Sequence, residues 1–182
     1  LASATGKEPV DAYIELALDE HLQTVFTVPQ NPADSEGLVD RITGPYGHIS
    51  LSDGGAHTRY QSGGHWPIYF LSFWVRDREV MSLEQAHYKM SALPAWFTDF
   101  KDRGTLRIGS WADIIVYNLD ELGYLYDKPV YANDFPGGER RIIQKAKGIR
   151  YTLVNGEVTF EDSVCTDATP GKLLRSYDMV NR

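Results

Sequence analysis

Residues 48–66 read HISLSDGGAHTRYQSGGHW, and three of the five histidines of the chain (His48, His57 and His65) fall in this one window. An apolar run ends there on Asp53, followed at once by Gly54 and Gly55. A carboxylate placed just after a strand has two chemical uses. It can ligate a hard or borderline metal ion, or it can take a proton from an attacking water and hand it to a leaving group. The same residues also fit an Asx-type turn, with Asp53 bonding the backbone ahead of it and the glycines in left-handed conformations. His57 is a further ligand or acid, and Arg59 with Tyr60 offers donors that could clamp a substrate carboxylate. His57 and His65 are eight positions apart. Paired ligands from one helix need three or four residues between them, so the histidines do not spell a metal site by themselves.

Such groups need a framework, and the flanking sequence supplies one. Residues 8–20, EPVDAYIELALDE, put Val10, Ile14, Ala17 and Leu18 on one stripe behind Pro9, which predicts an amphipathic helix. LQTVFTV (22–28), closed by Pro29, reads as a buried strand. A second helix is expected between an N-cap at Asn31 or Asp34 and a stop at Gly44-Pro45, and HISLS (48–52) supplies another strand. Helix, strand, helix, strand at this spacing is the pattern of a parallel sheet with helical crossovers, in which ligand-binding loops follow the strand C-termini. Residues 66–77, WPIYFLSFWVRD, are too aromatic for a surface helix and are expected to pack on the sheet. Trp66, Phe70, Phe73 and Trp74 recur there at helical spacing, which suits a core better than a ligand platform. Ser82 opens a further helix with Gln85 completing a capping box.

After residue 104 the texture changes. ADIIVYN (112–118) is a strand, and YTLVNGEVTF (151–160) is a hairpin whose Asn155-Gly156 pair suits a type I′ turn. FPGGERR (135–141) has the glycines of a phosphate-cradling loop but neither its Lys-Ser/Thr nor its strand-to-helix context, so a turn is expected.

Composition limits the function classes. The 182 residues are 42% hydrophobic, ordinary for a globular chain, and 18 basic against 25 acidic side chains give a net charge of -7. That balance argues against a nucleic-acid partner. The lone Cys165 fits a reducing, cytoplasmic setting and excludes a Cys-built zinc site within these residues. No apolar run approaches the roughly 20 residues that span a bilayer, so no membrane partner is expected. The opening LASATGKEP looks like neither a start nor a signal, which suggests a piece of something longer.

Several motifs in order carry a resemblance. SALPAWFTDFKDRGTLRIGSWADIIVYNLDEL, with Ser91, Pro94, Ala95, Gly104, Gly109, Ala112 and Asp113, resembles the segment that leaves the barrel of the amidohydrolase superfamily. There a Thr/Ser-x-x-Pro-Ala helix leads to a Gly-x-x-x-x-Gly-x-x-Ala-Asp turn and strand. The tail, with Val154, Asn155, Gly156, Pro170, Gly171, Leu174 and Arg175, is similar to the closing segment of the N-acyl-D-amino-acid deacylase (D-aminoacylase) branch. With SDGGAH, the resemblance covers residues from about 45 to 175.

The resemblance implies an α/β fold: the C-terminal part of a (β/α)8 metal-dependent hydrolase barrel followed by part of a small β-sandwich. Residues 1–103 would be the last strands and helices of the barrel, and 104–182 the sandwich segment. Asp53 matches the aspartate after the eighth barrel strand, which moves the proton from water to the leaving nitrogen of an amide and is a weaker candidate as metal ligand. His57, Arg59 and Tyr60 would face the substrate, although the family's His-Pro-Arg stands here as His57-Thr58-Arg59. One or two zinc ions are implied as cofactor, and an N-acyl amino acid or related amide as substrate. The remainder of the barrel or a second chain, a homo-oligomer included, is implied as partner. The superfamily's His-x-His, its bridging ligand and its two later histidines have no match here. The main metal ligands are therefore expected upstream of Leu1, and the segment alone is expected to be inactive. The alternative from a different class is a non-catalytic β-rich packing or oligomerisation module.

Overall fold

A computed structural model describes residues 2–26, 36–49, 58–60, 63–126 and 130–175. The chain divides into two compact units, Leu1–Ser35 and Glu36–Arg182.

In the first unit, α1 (Ala2–Thr5) precedes α2 (Pro9–Asp19). Pro9 sits in the first turn of α2, where its missing N–H costs nothing, and Lys7 pairs with Glu15 along the surface. Ala12 is buried, but Val10, Ile14 and Leu18 of the expected apolar stripe are exposed. The strand expected over 22–28 does not form over the described residues 22–26, and residues 27–28 lie outside them. Leu22 has φ +61° and donates its N–H to the Ala17 carbonyl at 2.7 Å, closing the helix with a left-handed turn. Val25 and Phe26 are exposed, and the Phe26 ring lies 4.1 Å from that of Tyr13. A strand is made by its neighbours' hydrogen bonds, and no strand partner stands beside this segment among the described residues.

In the second unit, α3 (Glu36–Thr43) ends where Gly44-Pro45 predicts, with the Gly44 N–H bonded to the Asp40 carbonyl at 2.9 Å. The proposed caps Asn31 and Asp34 lie outside the described residues. So do residues 50–52 of the expected strand 48–52, whose first two residues are not in a strand. A 3₁₀ turn (Gly63–His65) leads into α4 (Trp66–Tyr69), which widens into a π-helical segment over Phe70–Asp77. This segment supplies the core: Phe70 and Trp74 are each 3% exposed, with Leu71 and Val75 buried beside them. At that burial these aromatics are packing groups and not a ligand platform. Ser82 caps α5 (Leu83–His87) as its sequence predicts, its Oγ accepting from the Gln85 N–H at 3.2 Å while Gln85 Oε1 accepts from the Ser82 N–H at 3.1 Å. A second π-helical turn (Tyr88–Ala92) joins α5 to α6 (Leu93–Phe97).

Among the described residues every strand follows residue 113, and all pairings are antiparallel. β1 (Ile114–Tyr117), β6 (Ile149–Val154), β7 (Glu157–Glu161) and β8 (Val164–Cys165) form one sheet in the order β1-β6-β7-β8. Two short ladders pair β2 (Gly123–Tyr124) with β5 (Ala146–Lys147) and β3 (Val130–Ala132) with β4 (Arg141–Ile143). The hairpin between β6 and β7 turns on Asn155 and Gly156, with φ +51° and +88°, as the type I′ expectation requires. FPGGERR is a turn, with Gly137 at φ +80°.

Candidate active site

Of the four residues expected to act on substrate, Asp53 and His57 lie outside the described residues. Arg59 and Tyr60 sit in the turn 58–60, fastened to β4 by the Ile142 N–H, which donates to the Thr58 carbonyl at 2.6 Å. The Arg59 guanidinium is 3.3 Å from Glu139 Oε2 and 6.0 Å from the Tyr60 ring centroid. Both side chains are exposed. An exposed pair of this kind contributes at most about 1 kcal/mol, so an incoming carboxylate can displace Glu139 at little cost.

Behind this turn lies a cavity of about 700 Å³ whose wall includes Thr58, His65, Arg141, Gln144, Lys145 and Ser163. Arg141 is committed to Asp134 through two parallel bonds of 2.7 and 2.8 Å, and that guanidinium holds the Asp134 carboxyl below its usual range. The His65 ring stands edge-on to Tyr124, 5.3 Å between centroids, with Nδ1 buried and unbonded. Burial first, and then the neighbouring Tyr69, push the Tyr124 hydroxyl up to about 12.

A second titratable pair escaped the sequence reading. His87 on α5 and Tyr117 on β1 share a hydrogen bond of 2.6 Å across the wall of another cavity of about 700 Å³. Burial pushes the His87 imidazole down, against the opposing pull of Glu84, and pushes the Tyr117 hydroxyl up. Thirty residues separate the partners, and no local pattern announces such a contact.

The described residues do not by themselves fit a metal: no three His, Cys, Asp or Glu side chains converge among them. Nor is any described helix long and apolar enough to cross a membrane.

The motif residues of the C-terminal half converge. Arg103 pairs with Asp113 and donates from Nη2 to Asn155 Oδ1 at 2.7 Å. Asp113 Oδ1 accepts the Asn155 N–H at 2.8 Å, and Asn155 Nδ2 donates to the Pro170 carbonyl at 2.7 Å. The Gly156 N–H reaches the Ala112 carbonyl at 2.9 Å. Gly104, at φ +78°, passes so close to α6 and the turn before it that a Cβ would lie 2.6 Å from the Ala95 Cβ and 2.7 Å from the Ser91 carbonyl. Ser91, Ala95, Gly104, Ala112, Asp113, Asn155, Gly156 and Pro170, which all signalled the resemblance, are thus in contact with one another or with Arg103.

Comparison with known proteins gives the same reading from outside. The profile described as the amidohydrolase family matches residues 40–160. An N-acyl-D-glutamate deacylase of Alcaligenes xylosoxydans xylosoxydans is 35% identical over 107 residues, 58% of this chain and 19% of that protein. An N-acyl-D-aspartate deacylase of the same organism is 25% identical over 182 residues, 97% of this chain and 34% of that protein. A crystal structure of N-acyl-D-glutamate deacylase from Bordetella bronchiseptica, complexed with zinc and a phosphonate mimic of the tetrahedral intermediate, is 32% identical with a TM-score of 0.44. It covers 64% of this chain and 21% of that one. The chain spans between about a fifth and a third of the length of the curated relatives it matches. On the family match over residues 40–160 and the deacylase relatives that accompany it, the chain belongs to the amidohydrolase family.

Proposed function

We propose that this chain carries the catalytic carboxylate of a metal-dependent deacylase that hydrolyses the amide bond of an N-acyl-D-amino acid. The observation that carries the reading is the family match over residues 40–160, which spans both SDGGAH and Arg103, Asp113 and Asn155 of the interlocked residues. The 35% identity to an N-acyl-D-glutamate deacylase supports the substrate class. In this reading residues 1–103 are the last strands and helices of a (β/α)8 barrel and 104–182 a segment of a β-sandwich. Zinc is the cofactor of the full-length enzyme. In this reading its main ligands come from outside these 182 residues.

Asp53 has one task, in two steps. Its carboxylate takes a proton from the water that attacks the amide carbonyl carbon. It then delivers that proton to the nitrogen as the C–N bond breaks, releasing a carboxylic acid and the free amino group. Arg59 exchanges Glu139 for the α-carboxylate of the substrate, with Tyr60 beside it, and His57, two positions earlier in the sequence, also faces the substrate in this reading.

The test is an Asp53→Asn change in the full-length enzyme, assayed on a panel of N-acetyl amino acids of both hands, with metal content measured in parallel. Turnover is expected to fall about 10²–10⁴-fold with the metal retained, the range for losing a general acid–base. Undiminished turnover by the Asn variant would sink the assignment.

A further inference from the structure

The carboxylate that rests on Arg59 is delivered there by the backbone. The turn Pro136–Gly138 joins β3 to β4 with Gly137 and Gly138 at φ +80° and +75°, left-handed values that glycine adopts at no steric cost. Glu139 follows in extended backbone, φ −63° and ψ 140°, as the first residue off the turn. Alternate side chains of an extended chain share a face, so Glu139 lies on the side of Arg141 and Arg140 on the other. The Arg140 guanidinium accordingly covers the ring of Tyr131, 4.8 Å from its centroid, and Tyr131 is paired with Ile142 across the ladder. Arg141 is tied to Asp134 by bonds of 2.7 and 2.8 Å, which braces the loop, and the Ile142 N–H is tied to the Thr58 carbonyl at 2.6 Å. The neighbour of Arg59 and the strand that begins beside Glu139 are therefore joined through their backbones. Glu139 Oε2 stands 3.3 Å from the Arg59 guanidinium as a result.

The pair is open to exchange on both sides. The Arg59 and Glu139 side chains are 54% and 63% exposed, so a displaced Glu139 returns to water and leaves no buried charge behind. An exposed pair holds weakly, and a substrate carboxylate with further contacts of its own can win. We infer that Glu139 is a resident competitor: it occupies Arg59 whenever no substrate carboxylate does, and so sets KM without taking part in the chemistry. A ligand that binds only the molecules whose partner group is free shows an affinity reduced by that fraction. This inference rests on the carboxylate-clamp role proposed above for Arg59.

The test uses the full-length enzyme and the N-acetyl amino acid it turns over best, with KM and kcat measured separately. Glu139→Gln keeps the length of the side chain and removes its charge. It is expected to lower KM about two- to sixfold, the reach of an exposed ion pair, with kcat within about twofold. In the double variant Arg59→Met/Glu139→Gln the Glu139 change is expected to add nothing, because no guanidinium is left to compete for. An unchanged KM for Glu139→Gln overturns the inference, and so does a raised one, which would mean that Glu139 aims Arg59 at the substrate. A KM that falls equally in the Arg59→Met background also overturns it, since the effect would then be a general loss of negative charge. If Glu139→Gln does not fold, Glu139→Asp, which draws the carboxylate back by one methylene, decides by the same readings. The two ideas fail differently. A raised KM for Arg59→Met beside an unmoved Glu139→Gln removes only the competitor, and a parental KM for Arg59→Met removes the clamp and the competitor together. A parent enzyme that turns over no member of the panel removes the functional reading and the inference with it.

Discussion

Arg59 and His87 show what single side chains add. Arg59 rests on Glu139 in an exposed pair, so the carboxylate-clamp role proposed for it requires an exchange of partners. Replacing it with Met in the full-length enzyme is expected to raise KM about 10–100-fold, the value of a hydrogen bond to a charged group, while kcat changes little. Steady-state kinetics separate the two, and a drop confined to kcat would move Arg59 out of the substrate's binding contacts. His87 gives a pH prediction. Burial holds its pKa below the ordinary 6.5, so the unfolded chain binds the proton more readily than the folded one. The stability this group contributes is therefore complete above about pH 6.5 and is lost as pH falls below it. A His87→Gln variant should lose less stability than the parent between pH 7.5 and 5 in denaturant titrations, and equal losses would deny His87 that part. Neither the His87–Tyr117 bond nor the bonds from Lys89 Nζ to the Gly44 and Gly47 carbonyls were legible in the sequence. Each contact spans at least thirty residues, and the side chains are bland in their own neighbourhoods.

Elements with a local code were legible. The Ser82–Gln85 box, the Gly44-Pro45 stop and the Asn155-Gly156 turn all sit where their residue types predict, because each satisfies its backbone groups within a few residues. The strand expected over 22–28 failed in its described part because β-branched and aromatic composition describes a surface that wants neighbours, and does not supply them. The junction between the α6 region and β1 is where element-scale stability is most exposed to mutation. Gly104→Ala forces a side chain onto a left-handed backbone and against the Ser91 carbonyl, a cost of about 1–3 kcal/mol. Asn155→Ala removes the acceptor of Arg103 and the donor to Pro170 together, and about 1–3 kcal/mol is expected for the groups left unpaired. Thermal melts of the full-length protein should show both losses. Gly104→Ala at parental Tm would mean that the close approach to α6 relaxes freely.

For the chain as a whole, the balance between covered and open apolar surface decides its behaviour alone. Among the described residues the buried hydrophobic side chains are Ala12 in the first unit and Phe70, Leu71, Trp74, Val75, Ala86 and Leu122 in the second. Trp96, Phe97, Leu106 and Ile108 are exposed, and β1 stands at the end of its sheet order. Open strand ends and clustered apolar side chains associate. The 182-residue chain expressed alone is expected to self-associate in light scattering and to hydrolyse no N-acyl-D-amino acid with zinc added. A monodisperse monomer with metal-dependent turnover would contradict both expectations. The (β/α)8 expectation rests on motif order and not on periodicity, because the closure that defines a barrel has no signature in a short stretch of sequence.

The interlocking of Arg103, Asp113, Asn155 and Pro170 also bears on how descent is traced. Residues that hold a junction together are retained by any descendant that still folds, whether or not it still cleaves an amide. A genome survey keyed to Gly104, Asp113 and Asn155-Gly156 would therefore gather retired enzymes alongside working ones. On the role proposed for Asp53, a second filter on SDGGAH (52–57) would tell the two populations apart.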